Sequence, residues 1–174
     1  VDILYRNFPE LPPEEFSGTL RASVPEELQV RNQWTCWRLE ERNGKTTKVP
    51  YNAASGHRAS STDSATWASF EEAVEAVEDG GYNGVGFVFS SGDPYTGIDL
   101  DKCRNPQTGE VAEWAQPWLD RFSEGYSEVS PSGTGLHIIV RGKTPHNGKK
   151  TRDGKTVEIY SVERFFTVTG WEVC

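Results

Sequence analysis

Tyr95-Thr-Gly-Ile-Asp-Leu-Asp101 is the stretch on which the fold turns. In an extended strand successive side chains point to opposite faces, so residues two apart share a face. Ile98 and Leu100 then enter a core, and Asp99 and Asp101 stand together on the other side. Two carboxylates on one face repel unless positive charge lies between them. Hard oxygen donors on a rigid strand suit Mg²⁺ or Mn²⁺. An isolated D-x-D is also what a solvated acidic strand face looks like, so its meaning depends on what the rest of the chain supplies.

The chain has 174 residues, 35% hydrophobic and 25% charged. That length suits one domain with a sizeable core, or a domain with an appendage. Lys and Arg total 18 against 26 Asp and Glu, a net charge of −8. This balance excludes a protein that coats nucleic acid through its overall charge, but it leaves room for a basic groove on an acidic body. No run approaches the ~18 apolar residues of a membrane span, and no basic-then-apolar leader opens the chain. Cys36, Cys103 and Cys174 are odd in number and lack C-x-x-C spacing, against a disulfide scaffold or structural zinc. The expectation is a cytoplasmic protein without a membrane partner. A chain with no Met that begins at Val1 reads as a fragment of a longer protein.

Residues 1–27 hold Pro9, Pro12, Pro13 and Pro25, with six acids against two arginines, and read as an extended lead-in to a domain over 28–174. A strand is expected over Asn32–Glu40, a hairpin turn at Asn43-Gly44, and a return strand over Lys45–Tyr51. After a polar loop, Trp67, Phe70, Val74 and Val77 recur at helical spacing behind a cap at Asp63 or Ser64. Gly84–Ser90 is an apolar strand, and Gly92-Asp93-Pro94 is expected to fold it back on the Asp99 strand as a central hairpin. A second helix carries Ala112, Ala115, Leu119 and Phe122, starting or kinking near Pro117. Strands follow over Tyr126–Ser130, Leu136–Arg141, Thr156–Tyr160 and Arg164–Thr169. Hairpins with intervening helices make the class α+β with a mostly antiparallel sheet.

Three further features bear on chemistry. In Ser130-Pro-Ser-Gly-Thr-Gly-Leu-His137 two glycines allow a tight turn that exposes backbone N–H groups, Ser132 adds a hydroxyl, and His137 opens the next strand. This outlines a phosphate contact, although a lone strand histidine is commonly structural. Glu158 in Lys155-Thr-Val-Glu-Ile-Tyr160 is a third strand-borne carboxylate, and Arg164-Phe165 could clamp a phosphate and stack on a sugar or base. Arg141, Lys143, Lys149, Lys150, Arg152 and Lys155 stand against the single acid Asp153, with His146 as a seventh candidate positive group. That run is either a solvated loop or a local nucleic-acid-binding patch. Combined, three carboxylates holding two divalent ions, phosphate-facing groups and a basic loop fit nucleotidyl transfer.

The order D-x-D (Asp99, Asp101), S-x-G-x-G-x-H (Ser130 to His137) and strand Glu (Glu158) resembles the archaeo-eukaryotic primase superfamily, above all the primase-polymerase domains of phages, plasmids and mobile elements. Trp34 and Trp37, Lys48-Val-Pro-Tyr-Asn52, Ala59-Ser-Ser-Thr-Asp63, Gly84-Val-Gly-Phe87 and Thr167-Val-Thr-Gly170 agree with it, over about residues 30–171. The resemblance implies that Asp99, Asp101 and Glu158 are catalytic ligands of Mg²⁺ or Mn²⁺. It also implies that His137 contacts the phosphates of an incoming (d)NTP, with Ser132 and Lys48 as further phosphate contacts. Arg164 and Phe165 would lie by the sugar and base, where Phe165 could help tell ribose from deoxyribose. The implied fold is an RRM-like sheet joined to an α/β unit. The implied partners are a single-stranded DNA template and primer, and a helicase or helical region in the parent protein. Two alternatives remain: an RRM-like nucleic-acid-binding module with lost or residual catalysis, and a D-x-D glycosyltransferase, which leaves the S-x-G-x-G-x-H turn unexplained.

Overall fold

A computed structural model describes residues 12–145 and 147–173. Residues 1–11 of the lead-in, His146 and Cys174 lie outside the described residues. Within 12–27 the expected extended lead-in is instead helical: α1 (Pro13–Ser23) and α2 (Glu26–Gln29). The prolines do not oppose this, because Pro13 opens α1 and Pro25 immediately precedes α2, where a missing N–H and a fixed φ suit helix entry. Leu20, Val24 and Leu28 are buried, each contributing roughly 1.5–3 kcal/mol. Gly170, at φ +71°, lets α1 approach closely: a Cβ there would sit 3.1 Å from the Cα of Leu20.

Strand β1 (Trp34–Arg42) turns through Asn43 and Gly44, both at positive φ, into β2 (Lys45–Tyr51). The helical pattern read from Trp67 onward begins later than expected. Asp63 caps a 3-10 turn over Ser64–Thr66, and α3 (Phe70–Glu78) has its own capping box of Ser69 and Glu72. Trp67 lies between the two, its indole N–H donating to the Ser60 carbonyl at 2.7 Å.

The chain continues through β3 (Gly84–Phe89), β4 (Tyr95–Asp101), α4 (Gln116–Arg121, with Pro117 in its first turn), β5 (Tyr126–Val129) and β6 (Leu136–Arg141). It ends on β7 (Gly148–Arg152), β8 (Lys155–Tyr160) and β9 (Arg164–Val168). Two sheets result, β2-β1-β3-β9 and β5-β6-β4-β8-β7, antiparallel throughout the described residues. The α+β class holds. β7 is a strand inside what reads as a polar loop, because Asp153 and Gly154 take positive φ and close a β7–β8 hairpin.

The expected β3–β4 hairpin is absent. β3 pairs with β1 and β9, and β4 with β6 and β8, in different sheets. The buried Asp93 explains the divergence: its carboxylate accepts from the N–H groups of Ser90 and Tyr95, both at 2.7 Å, and from Gln33 Nε2 at 2.8 Å. The turn so fixed carries the chain from one sheet to the next. The sheets then meet face to face at Gly97, where a Cβ would lie 2.5 Å from the Phe89 ring and 2.7 Å from that of Phe166. One core fills this interface and reaches under α1 and α3; a second, with Ile98, Leu100, Leu136 and Ile138, lies on the outer face of the five-stranded sheet. Among the described residues no helix is long and apolar enough to cross a membrane.

Candidate active site

Strand alternation sends Ile98 and Leu100 into the outer core and turns Asp99 and Asp101 toward the other sheet. Register then lines up one residue from every strand of the five-stranded sheet. Glu128 pairs with His137, His137 with Asp99, Asp99 with Glu158, and Glu158 with Lys149. Directly opposed Cβ atoms lie about 4.5–5.5 Å apart, so five ionisable side chains form a continuous row on one face.

Each end of the row is anchored. Glu128 is fully buried. One oxygen faces His137 Nδ1 at 3.1 Å, and the other accepts from the Tyr126 hydroxyl at 2.7 Å and from the N–H groups of Thr169 and Gly170 at 2.9 and 3.1 Å. Burial and this carboxylate push the Tyr126 phenol well up, keeping it a neutral donor. His137 is buried, with its Nε2 3.9 Å from Asp99 Oδ1 and its ring 5.4 Å from that of Phe166. At the other end Glu158 is ion-paired with Lys149 at 3.0 Å and Arg164 at 2.9 Å, and Lys149 also reaches Asp101 at 3.7 Å.

Asp99 and His137 open on a cleft of about 730 Å³ between the sheets. The facing wall carries Lys48 from β2, Ser60 and Ser61 from the following loop, and Arg164 and Phe165 from β9. Phe165 fits against Gly86, whose missing side chain leaves room for the ring. Lys48 Nζ lies 3.4 Å from Thr167 Oγ1 and 5.7 Å from the Trp37 ring centroid. Burial pushes its ammonium pKa down, opposed by Asp99, Asp101 and Glu128. Burial pushes the Asp99 carboxyl up; His137 and Lys48 oppose this, while Asp101 and Glu158 reinforce it. The cleft concentrates negative charge that a cation would relieve.

Asp99, His137, Lys48, Arg164 and Phe165 all line this cleft, with Glu158 and Asp101 adjoining Asp99. Ser132 does not line it. Its hydroxyl is within 3.0 Å of Ser130 Oγ and 2.9 Å of Thr134 Oγ1, inside the β5–β6 turn. No group of three His, Cys, Asp or Glu side chains converges on one metal-binding point among the described residues. The basic residues divide. Lys149 belongs to the site. Arg141 pairs with Glu27 over the Tyr95 ring, in a separate concavity of about 970 Å³. Lys143 points inward, its Nζ within 3.3 Å of Asp93 and of the Ser90, Tyr95 and Ser161 carbonyls. Lys150, Arg152 and Lys155 line the opposite face of the sheet. Sequence reasoning missed Glu128; the signal was a glutamate alternating with Tyr126 in a strand destined for the interior.

No family model matches the chain. A DNA primase-polymerase of Nitratiruptor phage NrS-1 is 41% identical over 141 residues, 79% of this chain and 19% of that relative. The chain is a relative of that phage primase-polymerase. The resemblance carried by the D-x-D, S-x-G-x-G-x-H and Glu motifs thus has a homologue behind it, and those motifs lie in the row and cleft or, for Ser132, in the adjoining turn. The chain spans about a fifth of that primase-polymerase's length.

Proposed function

We propose that the chain is a metal-dependent nucleotidyl-transfer domain of the primase-polymerase fold and type. It adds (d)NMP from a (d)NTP to the 3′-hydroxyl of a primer on a single-stranded template, in the replication of a phage, plasmid or mobile element. The observation that carries this reading is the row Glu128–His137–Asp99–Glu158–Lys149 opening on a cleft whose far wall bears Lys48 and Arg164. Carboxylate oxygens from Asp99 and Asp101 on one strand face, with Glu158 in register beside Asp99, fit the donor chemistry of Mg²⁺ or Mn²⁺. When bound, such ions supply charge neutralisation at the triphosphate and activation of the attacking hydroxyl.

The chain's own residues supply binding and orientation. His137, held from behind by Glu128 at Nδ1, turns Nε2 to the cleft, where a ring carrying both protons donates to a phosphate oxygen. Lys48 and Arg164 bring positive charge to the other side of the cleft, and Phe165 lies beside Arg164, where a sugar would rest. Arg164 and Lys149 neutralise Glu158 and can exchange that role for phosphate or template contacts. The same pairing is what favours the second reading, a nucleic-acid-binding module whose Glu158 holds cations of the protein rather than metal.

Primer extension on a single-stranded template, run with Mg²⁺ or Mn²⁺ and separately with dNTPs and NTPs, tests the proposal. Metal-dependent extension lost in Asp99→Ala is expected. Extension by that variant at the wild-type rate would remove the catalytic assignment.

A further inference from the structure

Alternation along the β7–β8 hairpin gives it two working faces. Lys149 and Glu158 pair on the cleft face. Lys150, opposite Val157, and Arg152, opposite Lys155, turn the other way, onto the outer surface of the sheet. There they form one wall of a groove of about 750 Å³, whose opposite wall is Trp114 and Trp118.

Those two tryptophans differ from their deeper counterparts. The indole N–H groups of Trp34, Trp37 and Trp67 each donate to a backbone carbonyl, at 3.0, 3.1 and 2.7 Å. Trp114 and Trp118 are half-buried in the groove wall, and Trp118 stacks on Phe122 at 6.2 Å with an interplanar angle of 30°. A ring so backed keeps its orientation, and both indoles border the groove. Among the basic residues, Arg152 has an exposed pair with Asp153 at 3.6 Å, whereas Lys150 and Lys155 make no ion pair among the described residues. In a chain of net charge −8, a groove lined by Lys150, Arg152 and Lys155, with Lys149 at its edge, against the single acid Asp153 is a local reversal of sign.

We propose that this outer groove binds single-stranded nucleic acid, with Lys150, Arg152 and Lys155 on the phosphates and bases against Trp114 and Trp118. The charge selects a polyanion, and the aromatic wall selects unpaired bases, since only an unpaired base can lay its face on an indole. In a duplex the base faces are occupied by one another. β7 is the edge strand, so a strand in the groove can round that edge past Lys149 toward Asp101. That the bound strand serves as template rests on the nucleotidyl-transfer reading; the groove's binding does not.

The test is fluorescence anisotropy with a labelled single-stranded oligonucleotide, without metal or nucleotide, on the wild type and on Lys150→Glu/Arg152→Glu. Both positions are exposed, and matching thermal melts exclude misfolding. The double variant is expected to bind at least tenfold more weakly. Its log K against log salt slope should be shallower by about 1.4, two phosphate contacts at ~0.7 each. Trp114→Ala should weaken binding at all salt concentrations without altering the slope. Asp99→Ala should retain wild-type affinity, which separates this proposal from the catalytic one. A wild type that binds no oligonucleotide at low salt, a double variant of unchanged affinity, or duplex competing as well as single strand would each overturn it. The hairpin's cations would then only guard an edge strand, or the groove would serve a protein partner.

Discussion

Glu128 fixes the proton of His137. One carboxylate oxygen accepts from Tyr126, Thr169 and Gly170, and the other, in its ionised form, can only accept from Nδ1 of His137 across the 3.1 Å contact. Nε2 is thereby left facing Asp99 and the cleft. Glu128→Gln can keep the shape while offering an N–H to Nδ1, so that Nδ1 must accept and the ring can no longer carry both protons, which removes a charge-assisted donor to phosphate. The expected result is a folded variant with an altered His137 ¹⁵N signature and a raised KM for nucleotide. Glu128→Ala should instead be chiefly a stability defect. It leaves buried donors without an acceptor at about 1–3 kcal/mol each, and denaturant unfolding measures it.

The charge of Asp99 should weaken the fold that carries it. Its folded-state pKa lies above the ordinary carboxyl value, chiefly through burial. Between the unfolded and folded values the native state therefore binds more protons, and stability falls as pH rises through that window. Above the folded value the whole penalty is present. Asp99→Asn is expected to melt at a higher temperature than wild type in chelator at pH 7, with the difference shrinking in acid. Each 1 kcal/mol corresponds to about 2–4 °C for a chain of this size. Equal melts at pH 7 would contradict this electrostatic account.

Lys143 and Lys150 look alike in sequence and should behave oppositely. Lys143 neutralises an Asp93 side chain with no exposed surface and ties the β3–β4 and β8–β9 connections together. Lys143→Ala is expected to cost about 3 kcal/mol, the lower end for a broken buried pair because the lysine is itself one-third exposed. Lys150→Ala should change stability by less than about 0.5 kcal/mol. Urea unfolding of the two variants decides the matter.

Helix α1 is part of the domain rather than a tether. Leu20→Ala removes a fully buried side chain from the core beneath α1 and α3, with an expected loss of roughly 2–5 kcal/mol. Arg21 bridges α1 to Glu71 and Glu78 of α3, but as an exposed pair it should contribute less than ~1 kcal/mol. A melt of Leu20→Ala close to wild type would show that the helix docks without supporting the fold.

Local periodicity determined a large part of this protein. The alternation in Tyr95–Asp101, the Asn43-Gly44 turn, the faces of Leu136–Arg141 and Lys155–Tyr160, and the order of the three motifs could be read directly, because strand geometry and turn conformations depend on neighbours in the chain. Beyond the Asn43-Gly44 hairpin it did not reveal which strands pair. A β3–β4 hairpin and a crossing between sheets satisfy the same apolar pattern, and the choice fell to the buried Asp93 with partners at Gln33 and Lys143, and to Gly97 under Phe89 and Phe166. Likewise the charge run Arg141–Lys155 was visible, but its division among a buried lock, a cleft contact and an outer groove follows from register across strands far apart in sequence. The Glu128–His137–Asp99–Glu158–Lys149 row exists only once five strands lie side by side. Residue types and their spacing are local properties; the electrostatic environment of a carboxylate is set by whatever the folded sheet places about 5 Å away.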